Sequence, residues 1–190
     1  ARVALHRYTY PADAKTSFVV LDLLQGIGWD KMTKCAYKQD TPTEVSGYRY
    51  STGWAKDQRV FFVAQFSRPM TIAKSEGDTL AVLSTPNNDE PLLVKVGISA
   101  VSEDNARANI AAELPTWDFR GTAAKADEAW NKELSKIVIT TDDAAARRTF
   151  YTAMYHSMFA PSVFSDVNGD YRGADGKVHR GDFKNYTTFS

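Results

Sequence analysis

A succession of short strand-like segments fills the first hundred residues and limits the chain to few folds. The strongest segment runs from Gln58 to Ser67 and is rich in β-branched and aromatic side chains. Residues 92–99 alternate in polarity, and turn-forming residues such as those at 75–78 separate the shorter segments. Strands at this spacing, with no helical pattern between them, predict an antiparallel sandwich or barrel.

The pattern becomes helical after residue 100. Ser102 is suitably positioned to cap a first helix, and a second helix is predicted over residues 122–135. The apolar residues 137–139 predict a short strand. A third helix is predicted between a cap at Thr141 and Pro161, and its apolar stripe must pack against another part of the protein. That stripe consists of Phe150, Met154 and Met158.

Charge and cysteine content argue against several classes of partner and of site. The chain carries 23 Lys and Arg against 23 Asp and Glu, so its formal net charge is zero. Nucleic acids and anionic membranes are usually met by a basic excess, so neither is expected as a partner. Cys35 is the single cysteine, which allows no internal disulfide and predicts a half-buried strand residue. No apolar run approaches the roughly 18 residues that a membrane span needs.

The most specific motif lies in the last quarter of the chain. It reads Tyr155-His-Ser-Met-Phe-Ala-Pro-Ser-Val-Phe-Ser-Asp-Val-Asn-Gly-Asp-Tyr-Arg-Gly173, and Tyr186-Thr-Thr-Phe-Ser190 follows. The motif resembles a junction in the α-mannosidases of glycoside hydrolase family 92, where a β-sandwich leads through helices into an (α/α)6 barrel. The resemblance implies a chain that is mainly β with some α-helix. Its fold would be an antiparallel, supersandwich-like β-sandwich followed by linker helices.

The resemblance also implies a division of the chain into three parts. Residues 1–100 are expected to form the sandwich, incomplete at its N-terminal end, and residues 101–140 a helical linker. Residues 141–190 are expected to be the first helix and loops of a truncated (α/α)6 catalytic domain. In the family, the Phe189-Ser190 pair leads into a Leu-Trp-Asp-Thr run that lines the sugar site, and this chain ends before it.

Members of the family are calcium-dependent, inverting exo-mannosidases, and an inverting mechanism needs two carboxyl groups about 6.5–9.5 Å apart. The resemblance implies that this pair and most calcium ligands lie beyond residue 190. Calcium is therefore expected in the full-length enzyme and none in this fragment. The isolated chain is predicted to be inactive, with no catalytic residue of its own.

One turn-like segment is a weak candidate for metal binding. Asp166, Asn168 and Asp170 alternate around a glycine, as at the start of a calcium loop. The twelfth position of such a loop, which should be glutamate, is Lys177. The alternative is a tight turn with side-chain hydrogen bonds to its own backbone and a solvated Asp170.

Two tryptophans beside glycine-containing turns are candidates for sugar stacking. Trp29 and Trp54 could expose an indole to a pyranose ring, although packing in the core is the alternative for each. The resemblance adds Phe189 and Ser190 as residues that lead into the sugar pocket.

These observations predict part of an α-mannosidase that removes terminal α-linked mannose from glycans at a bacterial cell surface or in the periplasm. Its expected partners are mannose-containing glycans and the missing catalytic domain. The alternative is a non-catalytic carbohydrate-binding or structural sandwich module, which sugar binding by the isolated chain would distinguish.

Overall fold

A computed structural model of the protein describes residues 2–187, and its first half is built from two antiparallel sheets. Eight strands precede the first helix. They are β1 (Val3–Tyr8), β2 (Thr16–Asp22), β3 (Lys31–Thr41), β4 (Glu44–Thr52), β5 (Gln58–Phe66), β6 (Thr71–Glu76), β7 (Leu80–Pro86) and β8 (Leu92–Ser99).

The larger sheet has the strand order β1-β8-β5-β4-β3, and the smaller has β2-β7-β6. The chain therefore crosses between sheets several times, and β1 pairs with β8 rather than with its neighbour in sequence. The main apolar core consists of Leu23, Val45, Phe62, Phe66, Met70, Ala81, Leu83, Leu92 and Val94, drawn from both sheets. This arrangement is the predicted antiparallel β-sandwich.

Helix α1 (Glu103–Glu113) covers the other face of the larger sheet. Ser102 caps it as predicted, because its hydroxyl accepts a hydrogen bond from the backbone amide of Asn105. Ala106 and Ile110 pack on Val63 of β5 and form a second, smaller core. The central strands of the larger sheet are thus buried between the smaller sheet and α1.

Two longer helices, α2 (Phe119–Leu134) and α3 (Ala144–Ser157), pack against each other through aromatic residues. The ring of Trp130 on α2 meets Tyr155 of α3 edge-on, with centroids 4.5 Å apart. The cap of α3 is Asp143, whose carboxylate accepts from the amides of Ala145 and Ala146, and not the predicted Thr141.

The predicted strand at residues 137–139 is wrong. These residues form an irregular connection in which Val138 is 78% exposed. Among the described residues, no neighbouring strand pairs with the segment, and β-branched side chains alone do not make a strand. The hydroxyl of Tyr151 instead donates to the carbonyl oxygen of Ile137.

Four short strands end the described part of the chain. They form two antiparallel pairs, β9 (Ser162–Val163) with β12 (Tyr186–Thr187), and β10 (Asp170–Arg172) with β11 (Val178–Arg180). Within residues 2–187, no helix is both long and apolar enough to cross a membrane. Cys35 is half-buried on β3, as predicted.

Candidate functional site

The two candidate tryptophans lie side by side at one end of the larger sheet. Trp29 is 68% exposed and Trp54 is 71% exposed. Their ring centroids are 6.3 Å apart and the rings are inclined at 40°. The open end of the β3–β4 hairpin, opposite its turn, brings them together. Lys31 pairs with Thr52 there, and each tryptophan lies two residues beyond this pair. Core packing, the alternative for both residues, is wrong.

A charged pair lies beside the indoles. The carboxylate Oδ2 of Asp30 is 2.7 Å from Nη1 of Arg49, and both side chains are about one-fifth exposed, at 24% and 20%. The hydroxyl of Ser51 and, after it, the guanidinium of Arg49 hold the pKa of Asp30 below its ordinary value. Arg49 is anchored in turn by Nε, which donates to the carbonyl oxygen of Leu23 at 3.0 Å. Asp30 is therefore ionised at neutral pH, and these contacts fix the orientation of the pair.

Close backbone packing explains the glycine at position 26. A Cβ atom there would lie 2.6 Å from the carbonyl oxygen of Asp30 and 2.9 Å from Nη2 of Arg49. Any larger residue would push the loop away from the charged pair. The loop that precedes β3 can thus fold tightly against the end of β4 and present Trp29.

These residues line a cavity of about 610 Å³ that is open to solvent. An exposed aromatic face beside hydrogen-bonding groups suits a ligand that has one apolar face and a polar rim, as a pyranose does. The other residues that line the cavity are Gln25, Gly26, Ile27, Ser51, Ala55, Gln58 and Val60.

A second cavity, of about 420 Å³, lies where the larger sheet meets the C-terminal loops. Strand residues such as Gln58 and Ile98 form one wall. Ser162, Phe164 and Thr187, from the β9 and β12 segments, contribute to the other wall. Phe189 and Ser190, the other two residues predicted to belong to the sugar site, lie outside the described residues.

The predicted calcium turn is a buried hydrogen-bond cluster. Asp166 is 4% exposed, and its carboxylate accepts from three neutral side chains. Asn109 Nδ2 donates to Oδ1 at 2.7 Å, while Ser99 Oγ and Asn105 Nδ2 donate to Oδ2 at 2.7 and 2.8 Å. The cluster joins the end of β8, helix α1 and the turn that precedes β10.

Asp170 belongs to the same cluster and is 9% exposed, so the expectation of a solvated side chain is wrong. Arg180 Nε donates to its Oδ1 at 2.6 Å, and Asn105 and Asn168 donate to its Oδ2 at 3.1 and 2.8 Å. These contacts, led by that of Arg180, lower the pKa of Asp170 to about 2. The backbone amide of Asp170 donates to Asn168 Oδ1, as the tight-turn alternative predicts.

This donor set does not fit a calcium ion. Calcium requires six to eight oxygen ligands, whereas the carboxylates of Asp166 and Asp170 face amide, hydroxyl and guanidinium donors. Among residues 2–187, no three His, Cys, Asp or Glu side chains are grouped closely enough to hold a metal ion. The hydrogen bonds around Asp166 and Asp170 therefore indicate a structural role for this turn.

Sequence reasoning missed Asp30, Arg49 and the asparagines of α1. One signal was available for Asp30, which directly follows Trp29, itself a candidate for sugar stacking. Arg49 could have been found from the alternation of β4, because it shares a face with the buried Val45 and Gly47. Nothing in the sequence pattern distinguishes Asn109 from a surface helix residue.

Two family profiles match the chain in succession. The glycosyl hydrolase family 92 N-terminal domain matches residues 1–99. The glycosyl hydrolase family 92 catalytic domain matches residues 105–190. Among curated proteins, an uncharacterized secreted glycosidase from Arthroderma benhamiae is 30% identical over 96 residues, which cover 48% of this chain and 12% of that protein.

Solved structures agree with the profiles. A family GH92 α-mannosidase from Bacteroides thetaiotaomicron superposes with a TM-score of 0.86 and 28% identity, over 98% of this chain and 28% of its own. A family GH92 inverting mannosidase from the same organism shares the fold, with a TM-score of 0.77 and 24% identity over 98% of this chain and 27% of its own. This chain thus spans little more than a quarter of these relatives, and the profile matches identify it as a member of glycosyl hydrolase family 92.

Proposed function

We propose that the chain is the sandwich and linker part of an α-mannosidase that removes terminal α-linked mannose from glycans. Its similarity over nearly its whole length to a Bacteroides family 92 α-mannosidase carries this proposal. Residues 1–100 would be the sandwich, 101–140 the helical linker, and 141–190 the beginning of the catalytic (α/α)6 domain.

The proposed reaction inverts the configuration at the anomeric carbon. One carboxylic acid protonates the leaving oxygen, and a carboxylate on the opposite side of the sugar activates water. We assign neither role to a residue of this chain. Asp166 and Asp170, the two buried carboxylates among residues 2–187, are saturated by hydrogen bonds and by Arg180, which favours a structural role over proton transfer.

We further propose that the longer enzyme uses calcium, which when bound would polarise the sugar hydroxyls that coordinate it. The ligands would come from outside this chain, since the described carboxylates do not fit the ion. What this chain contributes is a wall of the substrate site. Trp29 and Trp54 would bind sugar, and Phe189 and Ser190 would lead into the pocket.

The proposed location is the bacterial periplasm or cell surface. The name of the Arthroderma relative, a secreted glycosidase, supports an extracytoplasmic site for this family of proteins. A single cysteine is compatible with that location, because many such proteins are stable without disulfides.

The test compares the 190-residue chain with a longer polypeptide that includes it and is as long as its Bacteroides relatives. Both are assayed on an aryl α-mannoside, with and without a calcium chelator. We expect the longer polypeptide to release mannose, to lose activity with the chelator, and to yield the β anomer first, as seen by proton NMR. The 190-residue chain should be inactive.

Hydrolysis by the 190-residue chain alone would overturn the proposal, as would a longer polypeptide that cleaves only another glycoside. A first-formed α anomer would exclude inversion. As a control, the melting temperature of the 190-residue chain should not change with the chelator, because its described residues hold no metal ligand cluster.

A second candidate function is a non-catalytic carbohydrate-binding module. The exposed Trp29 and Trp54 pair favours it, because two indoles beside an ion pair can hold sugar without cleavage. This candidate predicts saturable sugar binding by the 190-residue chain, with no hydrolysis by any longer polypeptide that contains it.

A further inference from the structure

The joint between helices α1 and α2 consists of residues 115–118, which lie outside regular secondary structure. Helix α1 ends at its C-cap, the buried Leu114, and Pro115 follows. Helix α2 begins after its N-cap, Asp118, whose carboxylate accepts from the amide of Gly121. The joint therefore connects two helices that are each closed by a cap of their own.

The two sides of this joint are held very differently. Helix α1 packs on β1, β4, β5 and β8 of the larger sheet, and Ala106 and Ile110 are buried there. Neither α2 nor α3 has a buried residue. Among the secondary-structure elements of residues 2–187, α2 packs extensively only on β1 and α3, and α3 only on α2. The helix pair α2–α3 is thus attached to the sandwich through a narrow contact.

Two cations of the larger sheet face aromatic rings at this contact. The Nζ atom of Lys95 on β8 is 4.3 Å from the centroid of the Trp117 ring. The guanidinium carbon of Arg7 on β1 is 5.4 Å from the centroid of the Phe119 ring. Trp117 belongs to the joint and Phe119 is the first residue of α2, so both contacts tie the beginning of α2 to the sheet.

Lys95 has an environment that makes its contact the stronger one. It is 3% exposed and lies on the face that α1 covers, because Gly97, two residues along β8, packs against α1. Its partners across the sheet, Leu5 on β1 and Gln65 on β5, carry no charge. Burial lowers the pKa of its ammonium, and no carboxylate of the described chain opposes this effect. The indole face is therefore what offsets the burial of this cation.

We propose that residues 115–118 are a hinge, and that Lys95 locks it by holding the indole of Trp117 against the larger sheet. The locked hinge fixes the helix pair α2–α3 relative to the sandwich. Release of the indole leaves both helix caps in place and only the weaker, exposed contact of Arg7 with Phe119. Helices α2 and α3 would then turn together about the end of α1.

In the mannosidase proposed above, the lock makes Lys95 a positioning residue. Helices α2 and α3 lie in the region that matches the catalytic domain, whereas β8 lies in the region that matches the N-terminal domain. The contact between Lys95 and Trp117 therefore joins the two regions and sets how the sandwich wall meets the rest of the sugar site. This consequence rests on the proposed function, and the hinge itself does not.

The experiment measures hydrogen exchange of the 190-residue chain by mass spectrometry. Lys95→Met removes the charge and keeps a linear side chain. It should speed exchange in residues 114–134 about tenfold and leave α1 and β8 unchanged. Trp117→Ala should have the same effect, the double variant should exceed neither single variant, and Trp117→Phe, which keeps an aromatic face, should retain most of the protection.

The matched control is Lys34→Met, which removes an exposed cation that lies 5.5 Å from the ring of Tyr48 on β4, away from the joint. It should leave exchange in residues 114–134 unchanged. Equally faster exchange in α1 and β8 of Lys95→Met would overturn the proposal, because Lys95 would then stabilise the sheet and not the hinge. Unchanged exchange in residues 114–134 of that variant would overturn it too.

The positioning role is tested in the longer polypeptide. Lys95→Met should lower kcat/KM on an aryl α-mannoside about tenfold, and Lys34→Met should change it less than twofold. A native kcat/KM in Lys95→Met would refute the positioning role. If the longer polypeptide cleaves no mannoside, the proposed function fails by itself, and the exchange measurement still decides the hinge.

Discussion

Asn109 donates a hydrogen bond to Asp166 and accepts one from the next residue, although 57 positions separate Asn109 from Asp166 in sequence. The side-chain amide of Asn109 donates to Oδ1 of Asp166 at 2.7 Å, and its carbonyl oxygen accepts from the backbone amide of Val167 at 2.9 Å. Both residues are buried, at 0% and 4% exposure. The link holds helix α1 to the turn before β10, so a change in either partner affects both regions.

The first prediction concerns Asp166. Asp166→Ala leaves the hydroxyl of Ser99 and one side-chain N–H each of Asn105 and Asn109 without its acceptor in a buried site. We expect the free energy of unfolding to fall by about 3 kcal/mol, measured by urea denaturation. Asp182→Asn, at an exposed position of the same region, should change it by less than about 0.5 kcal/mol. Equal effects of the two substitutions would show that the buried cluster contributes nothing specific.

The second prediction concerns pH. The pKa of Asp170 is about 2 in the folded chain, mainly through Arg180, and below the ordinary value of 3.8. A carboxyl group whose pKa is lower in the folded than in the unfolded chain stabilises the folded chain at pH values above the unfolded pKa. This contribution is lost as the pH falls from about 4 to about 2. Because the Arg180 side chain is 69% exposed, we expect the ionised Asp170 to contribute only about 1–2 kcal/mol to the free energy of unfolding.

The measurement is the free energy of unfolding between pH 5 and pH 2.5 for the native chain and for Asp170→Asn. The native chain should lose more stability over this range than the variant, and the difference should shrink at high salt. Parallel pH curves would contradict the assigned role of Asp170.

The third prediction concerns Gly97 of β8, whose backbone packs closely against α1. A Cβ atom at this position would lie 2.6 Å from both the carbonyl oxygen of Ala106 and Cγ1 of Ile110. Gly97→Ala should therefore destabilise the chain by about 2–3 kcal/mol in urea denaturation. Adding Ile110→Val removes only Cδ1, at 3.0 Å from that Cβ, and should rescue little of the loss, because the γ carbon and the backbone oxygen stay in place. A Gly97→Ala variant of native stability would mean that α1 shifts freely on the sheet.

The fourth prediction concerns Lys95, which is 3% exposed on β8 with its Nζ 4.3 Å from the centroid of the Trp117 ring. Burial lowers the pKa of this ammonium. A desolvated cation over an indole predicts a coupling energy of about 1–2 kcal/mol in a double-mutant cycle of Lys95→Met and Trp117→Ala. Additive effects of the two substitutions would show that the contact is packing alone.

Local pattern made much of the sandwich predictable. The β-branched and aromatic residues of β5 and the alternation in β8 identified these two strands, and Ser102 marked the beginning of α1, because strand propensity, burial of one face and satisfaction of helix amides are local requirements. The same reasoning failed at residues 137–139, where no partner strand exists among the described residues. Strand order, such as β1 beside β8, depends on contacts that are distant in sequence and was not predictable.

The candidate site shows the same limit. Trp29 and Trp54 were separate candidates, and only the pairing of β3 with β4 makes them neighbours. Two register irregularities in this hairpin shift the pairing, so counting back from the turn gives the wrong partners. The buried cluster around Asp166 was missed because its partners Ser99, Asn105 and Asn109 lie 57 to 67 residues away.

The pairing of β1 with β8 has a consequence for synthesis on the ribosome. Val3 faces Gly97 and Tyr8 faces Leu92, so β1 pairs with a strand that is synthesised 84 to 94 residues later. A ribosome adds roughly 5–20 residues per second, so β1 waits several seconds for its partner β8 to leave the exit tunnel. During that interval an emerging chain exposes an apolar strand edge, and chaperone binding to nascent β1 would protect it until β8 arrives.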